Sequence, residues 1–282
     1  MPDEDGTTPP RGHPRKRFGQ HFLADRGALV RIADAVNASP GETVIEVGPG
    51  RGALTDELVT RGFHVIAIEI DRDLVLKLQI RYAGNSAVRI VAGDVLTVDL
   101  AAVAGGAYRL VGNVPYYITT PIIFHALRPP RPASAVFLVQ REVAERIAAE
   151  PGSHAYGALS VNVQSVMHVQ LMGRVKPGAF HPPPTVESAI IRLTPLVQPV
   201  VGADDEDALR EFVIASFGQR RKQMGRVLRQ IALVDAPQAE AVLQAASVEP
   251  TRRPETLTPT DFARVLAALR ALPGRERVLR SG

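Results

Sequence analysis

The stretch Asn113-Val114-Pro115-Tyr116 carries the residue types best suited to chemistry. The asparagine offers a side-chain carbonyl. The proline has no backbone donor and holds the residue before it extended. The tyrosine adds a rigid ring. Together they can hold a flat heterocycle by its exocyclic amine and stack on its face. Two carboxylates precede them. Glu69 ends an apolar run and can accept hydrogen bonds from both hydroxyls of a ribose. Asp94, in Gly93-Asp94-Val95, can accept from an adenine amino group. It can equally form an Asx turn or cap a helix.

A nine-residue stretch, Val44-Ile45-Glu46-Val47-Gly48-Pro49-Gly50-Arg51-Gly52, must position these groups. Its apolar start reads as a buried strand, and the alternate glycines end that strand. Ala53, Leu54, Leu58 and Val59 then follow at helical spacing. A strand, a glycine turn and a helix open a nucleotide-binding α/β unit. Glycine belongs there because a Cβ would block the close approach of a ligand. Gly48, Gly50 and Ala53 also fit the dinucleotide fingerprint, so an NAD-dependent oxidoreductase is a rival reading.

The remaining elements follow in order. The spacing predicts a helix over 26–37, strands over 64–69, 88–91 and 108–111, and a helix begun by Asp71. Next come a helix over 119–128, a strand over 135–139, a helix over 141–149 and late strands over 169–175 and 186–193. Between the late strands, Phe180-His181-Pro182-Pro183-Pro184 holds Phe180 rigidly in an extended loop, either in the core or over a substrate. Residues 1–14 have the composition of a disordered tail. Beyond residue 200 the chain becomes helical, with five basic residues from Ile214 to Val234 (Arg220, Arg221, Lys222, Arg226, Arg229) and no acidic ones. That pattern suits a solvated helix face. Paired with Arg15, Lys16 and Arg17, it also suits a surface that grips RNA phosphates.

The chain has 282 residues, enough for a large domain with a small one beside it. The expected division is a catalytic unit over 15–200 and a helical RNA-binding unit over 201–282. There are no cysteines, which excludes disulfides, thiolate metal sites and cysteine nucleophiles. Lys+Arg is 33 against Asp+Glu 29, so the net charge of +4 points to an anionic partner only where it clusters. The N-terminus has no apolar segment of a secretory signal, and no run approaches the roughly 20 apolar residues of a membrane span. The expectation is a cytoplasmic protein without a metal.

The set Gly19-Gln20-His21-Phe22-Leu23, Glu46-Val47-Gly48-Pro49-Gly50, Glu69, Gly93-Asp94, Asn113-Val114-Pro115-Tyr116 and Phe180-His181-Pro182-Pro183-Pro184 resembles the rRNA adenine N6-dimethyltransferases. The likeness covers roughly residues 15–235. Arg141 to Arg146, Ala155-Tyr156-Gly157 and Phe217 to Lys222 are similar to the branch that dimethylates two adjacent adenosines near the 3′ end of 16S rRNA, more than to the antibiotic-resistance branch acting on 23S rRNA. Tyr117 stands where an Asn is common, and Val114 where Leu or Ile is common. The resemblance implies a class I methyltransferase fold, Rossmann-like, with a seven-stranded mostly parallel sheet and a small C-terminal all-α domain. It implies S-adenosylmethionine as cofactor, contacted by His21, Leu23, Gly48, Glu69, Asp94 and Asn113. It implies catalysis by Asn113, with Tyr116 and Phe180 stacking the extruded base. The partner implied is 16S rRNA within a small-subunit particle, met by a monomer. A ribosome-assembly factor that uses the fold only for docking is the non-enzymatic rival.

Overall fold

The structure, a computed structural model, describes residues 21–273. The expected tail and the basic Arg15–Arg17 cluster lie outside the described residues. In chain order the elements begin with β1 (Phe22–Leu23), α1 (Arg26–Val36), β2 (Thr43–Val47), α2 (Ala53–Thr60), β3 (His64–Glu69), α3 (Arg72–Arg81) and β4 (Val88–Ala92). There follow α4 (Leu100–Ala104), β5 (Tyr108–Asn113), α5 (Thr119–Ala126), β6 (Ala135–Gln140), α6 (Arg141–Ile147) and α7 (Ala158–Gln164). Then come β7 (Met167–Val175), β8 (Phe180–His181) and β9 (Ser188–Pro195), and last α8 (Glu206–Phe217), α9 (Met224–Ile231), α10 (Ala236–Ala245) and α11 (Pro259–Arg270).

The main sheet has seven strands in the order β4-β3-β2-β5-β6-β9-β7. From β4 to β6 the pairs are parallel, and β9 is antiparallel to both its neighbours. Parallel strands are covered on both faces and so read as near-continuous apolar runs. Ile45, Ile68, Leu110, Phe137 and Ile191 pack one face. Val44, Val65, Val111, Val136 and Ile190 pack the other.

The topology sets the site. The chain steps from β2 outward to β3 and β4, then returns to the opposite side of β2 as β5. Such a reversal opens a crevice at the carboxyl ends of the two central strands. Register aligns the ends: Val47 pairs with Ile68 and with Gly112, and Glu69 pairs with Ala92. Gly48, Glu69, Asp94 and Asn113 therefore leave the sheet along one edge. Gly112 lets β5 come close there, since a Cβ on it would lie 3.1 Å from the Val47 carbonyl oxygen.

Two elements have no counterpart in the sequence pattern. One is α7, a helix whose Ser160, Val161, Asn162 and Val163 are all buried. A helix covered on so many sides shows no amphipathic period. The second is the two-stranded sheet of β1 and β8, pairing Phe22 with His181 and Leu23 with Phe180. The helices α8 to α11 build a separate core around Phe212, Met224, Leu243 and Phe262, but it also takes in Tyr156 and Val161. The Tyr156 hydroxyl donates to the Leu257 carbonyl at 2.8 Å, so the helical unit is anchored on the sheet-bearing one.

Candidate active site

A cavity of about 260 Å3 opens at the switch point, lined among others by His21, Gly48, Glu69, Asp94, Asn113 and Tyr116. A second, of about 240 Å3, shares Phe22, Gly48, Gly50 and Asn113 with it and is walled by Leu23, Glu46 and His181. Five of the six residues expected to meet a cofactor line the first cavity, and the sixth, Leu23, lines the second.

The glycine turn is held from behind. Gly52 has φ +85, a left-handed conformation open to glycine, and a Cβ there would lie 2.5 Å from the Tyr82 hydroxyl. That hydroxyl lies 2.7 Å from Asp56 Oδ1 and 3.0 Å from the Gly52 carbonyl, and its single proton is shared between these two acceptors. Nothing about Tyr82 in the sequence marks it, because it lies a full βα unit away.

Glu69 is buried. Its Oε2 accepts from the Gly50 N–H at 3.1 Å and its Oε1 from the Asp71 N–H at 3.0 Å. Burial raises its pKa from the ordinary carboxylate value, while the N–H groups of Asp71, Gly50 and Ile70 pull it back. A carboxylate has about four acceptor sites. These N–H groups take part of that capacity, and what remains can serve a ribose hydroxyl. Asp94 takes the cap role, Oδ1 accepting from the Leu96 N–H at 3.0 Å at the start of a short 3-10 turn, and the residue also walls the cavity. Glu46, to which the sequence alone assigns no role, is buried with Thr55 Oγ1 donating to its Oε2 at 2.6 Å. Burial pushes its carboxyl up to about 8; the Thr55 hydroxyl opposes this, and the nearby Glu69 and Asp56 add to it.

At the end of β5, Asn113 Nδ2 donates to the His21 carbonyl at 3.1 Å. Its Oδ1 is thereby the atom left to accept from a ligand. His21 Nδ1 lies 2.8 Å from the Pro182 carbonyl, and its ring flanks Tyr116 with centroids 6.0 Å apart. The Tyr116 hydroxyl and Ser188 Oγ are 2.8 Å apart, which fixes the ring from its far end. The Pro115 carbonyl already accepts from the Ile118 N–H at 3.1 Å and from Thr119 Oγ1 at 3.2 Å. Both lone pairs are used, so the Val114 carbonyl is the backbone acceptor available beside Asn113.

Two of the expected site residues are held by other contacts. Phe180 is 4% exposed and packs in the core cluster with Leu23, Val175 and Ile190. Its pairing with Leu23 in β1–β8 turns it inward, leaving its neighbour His181 on the cavity side. Among the basic residues, Arg220 is already engaged: Nε lies 2.6 Å from Glu255 Oε2, and Nη2 donates to the His154 carbonyl at 3.0 Å. Arg221 and Lys222 are exposed and in no ion pair with a described residue.

A profile of the ribosomal RNA adenine dimethylase family matches residues 12–265. The ribosomal RNA small subunit methyltransferase A of Pseudomonas aeruginosa is 42% identical over 263 residues, which are 92% of this chain and 96% of that one. Its counterpart in Moorella thermoacetica is 43% identical over 267 residues, covering 91% and 92%. Among solved structures, a dimethyladenosine transferase from Plasmodium falciparum superposes with TM-score 0.75 at 25% identity, covering 88% of this chain and 96% of that one. The 23S rRNA methyltransferase ErmE gives 0.69 at 28% identity, covering 88% and 99%.

Proposed function

The chain belongs to the ribosomal RNA adenine dimethylase family, and from that membership we propose that it methylates the N6 amines of two adjacent adenosines near the 3′ end of 16S rRNA, giving N6,N6-dimethyladenosine. It is an S-adenosylmethionine-dependent rRNA adenine dimethyltransferase with a role in small-subunit biogenesis. The oxidoreductase reading of the glycine fingerprint falls with this membership. In our reading the protein works as a cytoplasmic monomer on a small-subunit pre-ribosomal particle, with Arg15, Lys16, Arg17, Arg221 and Lys222 facing the RNA.

The cavity residues fit the cofactor. Glu69 would accept from the ribose, Asp94 would accept from the adenine amine, and Gly48, with no Cβ in the way, would face the methionine portion. His21 and Leu23 close the site from the N-terminal side. When bound, the cofactor supplies a methyl carbon made electrophilic by a sulfonium.

The protein must then prepare the nucleophile. An adenine amine is a poor one because its lone pair is delocalised into the ring. Asn113 Oδ1 and the Val114 carbonyl can accept its two hydrogens, which favours a more tetrahedral nitrogen with the lone pair free. Tyr116, fixed at its hydroxyl, stacks the extruded base. No general base is required before attack, and the methylated nitrogen loses its extra proton to water afterwards. Positioning of this kind is worth about 7–11 kcal/mol in well-aligned systems. Dimethylation needs the monomethyl amine to fit the same pocket and be presented again.

The observation that carries this reading is the Asn113 amide, whose nitrogen is tied to His21 so that its oxygen remains for a ligand. The test is transfer of radiolabelled methyl groups to unmethylated small and large ribosomal subunits. Label on the two adjacent adenosines of small-subunit RNA is expected. Label confined to the large subunit would move the protein to the 23S branch. No label, with assembly still supported, would leave a docking role alone.

A further inference from the structure

Tyr117 follows Tyr116 in the same short turn, Tyr116–Ile118, and both line the main cavity. The two rings are held in opposite ways. Tyr116 is half-buried, bonded to Ser188 and flanked by His21. Tyr117 is 63% exposed, and its side chain has no hydrogen bond or ring contact with a described residue. Every other Phe and Tyr among the described residues is buried or half-buried. The one freely exposed ring of this kind among them thus stands at the mouth of the cavity that takes the target base.

A lone exposed apolar group needs no explanation of itself. A rigid ring beside a base-accepting cavity is different, because every nucleobase has a face to stack on and aromatic platforms hold single-stranded bases without regard to sequence. Extruding one nucleotide from its stack also deprives its neighbour of a stacking partner. With two adjacent adenosines as substrate, the second base is left at the mouth while the first is inside. We propose that Tyr117 is the stacking platform for the nucleobase next to the target, so that consecutive rings of the protein receive consecutive bases of the RNA. This rests on the methyltransferase reading above and adds a second base subsite to it.

The test uses the full-length protein and unmethylated small subunits, with kcat/KM read from labelled methyl transfer. Tyr117→Ala should lower kcat/KM about tenfold, mostly through KM, which at about 1.4 kcal/mol per decade lies within the range of one stacked base. Tyr117→Phe should restore it, and the cofactor Kd should stay within about twofold in both. Subunits reconstituted with an abasic ribose at one adenosine of the pair should cost the wild type a similar factor when the remaining adenosine is the target. The same subunits should cost Tyr117→Ala nothing further. Independent, multiplying losses would overturn the proposal, as would a Tyr117→Ala rate within about twofold of wild type or a Tyr117→Phe loss equal to that of alanine. If the wild type labels no small-subunit RNA, the reading underneath is what fails, and the subsite falls with it.

Discussion

The side-chain nitrogen of Asn113 donates across 3.1 Å to the main-chain carbonyl of His21, a residue that lies far off in sequence. The carbonyl can only accept, so the bond settles which end of the amide faces the cavity. Asn113→Ala removes that oriented acceptor without opening the fold. Methyl transfer should fall by on the order of 10²–10³, the scale of losing one preorganised hydrogen-bonding group at a reaction centre. Cofactor affinity should change far less. Single-turnover methylation beside calorimetric cofactor titration checks this, and a near wild-type rate would remove Asn113 from the mechanism.

Glu69 is expected to act on binding rather than on turnover. Hydrogen bonds to a charged acceptor are worth roughly 1.5–3 kcal/mol. Glu69→Ala should therefore raise the cofactor Kd by at least about tenfold, while kcat at saturating cofactor is largely kept. Titration of the variant with the cofactor decides the matter, and an unchanged Kd would refute the ribose assignment.

Tyr116 and Phe180 should separate cleanly. Tyr116→Ala should cost turnover more than cofactor affinity, with the melting temperature little altered. Phe180→Ala removes a buried ring from the core and should cost about 3–5 kcal/mol of stability. Denaturant melts of both variants test this. A Phe180→Ala protein of full stability but no activity would return Phe180 to the base-stacking role expected from the sequence.

The buried Glu46 gives the fold a pH dependence of known sign. Its folded pKa is about 8, against an ordinary carboxylate value in the unfolded chain. In between, the native state holds a proton that the unfolded state has released. Stability should therefore decline as pH rises from about 4.5 to about 8 and then level off. Glu46→Gln stays neutral throughout and should flatten that decline. Urea midpoints at several pH values measure it, and identical slopes for variant and wild type would contradict it.

The basic residues after α8 should not behave alike. Arg221→Ala with Lys222→Ala should reduce the slope of log affinity against log salt for RNA, by roughly 0.7–0.9 for each phosphate no longer neutralised. Arg220→Ala should instead lower thermal stability, because its guanidinium bridges Glu255 and the His154 carbonyl. A pair variant with an unaltered salt slope would assign that face to solvent.

Much of this protein is local and therefore legible in its sequence. Apolar runs mark the strands because parallel strands are covered on both faces. The glycine turn, the acids at strand ends and the Asn-Val-Pro-Tyr stretch are short patterns whose chemistry is contained in a few neighbouring residues. Asp71 and Asp94 are legible as caps for the same reason. What the chain's order could not decide is which distant groups meet. Leu23 pairs with Phe180 and so turns that ring into the core, His21 orients Asn113, Ser188 fixes Tyr116, and Glu255 claims Arg220. Periodicity tells which face of an element is apolar, but the partner it meets depends on strand order and register. Those arise only when the whole sheet closes, and they turn a set of suitable residues into a site.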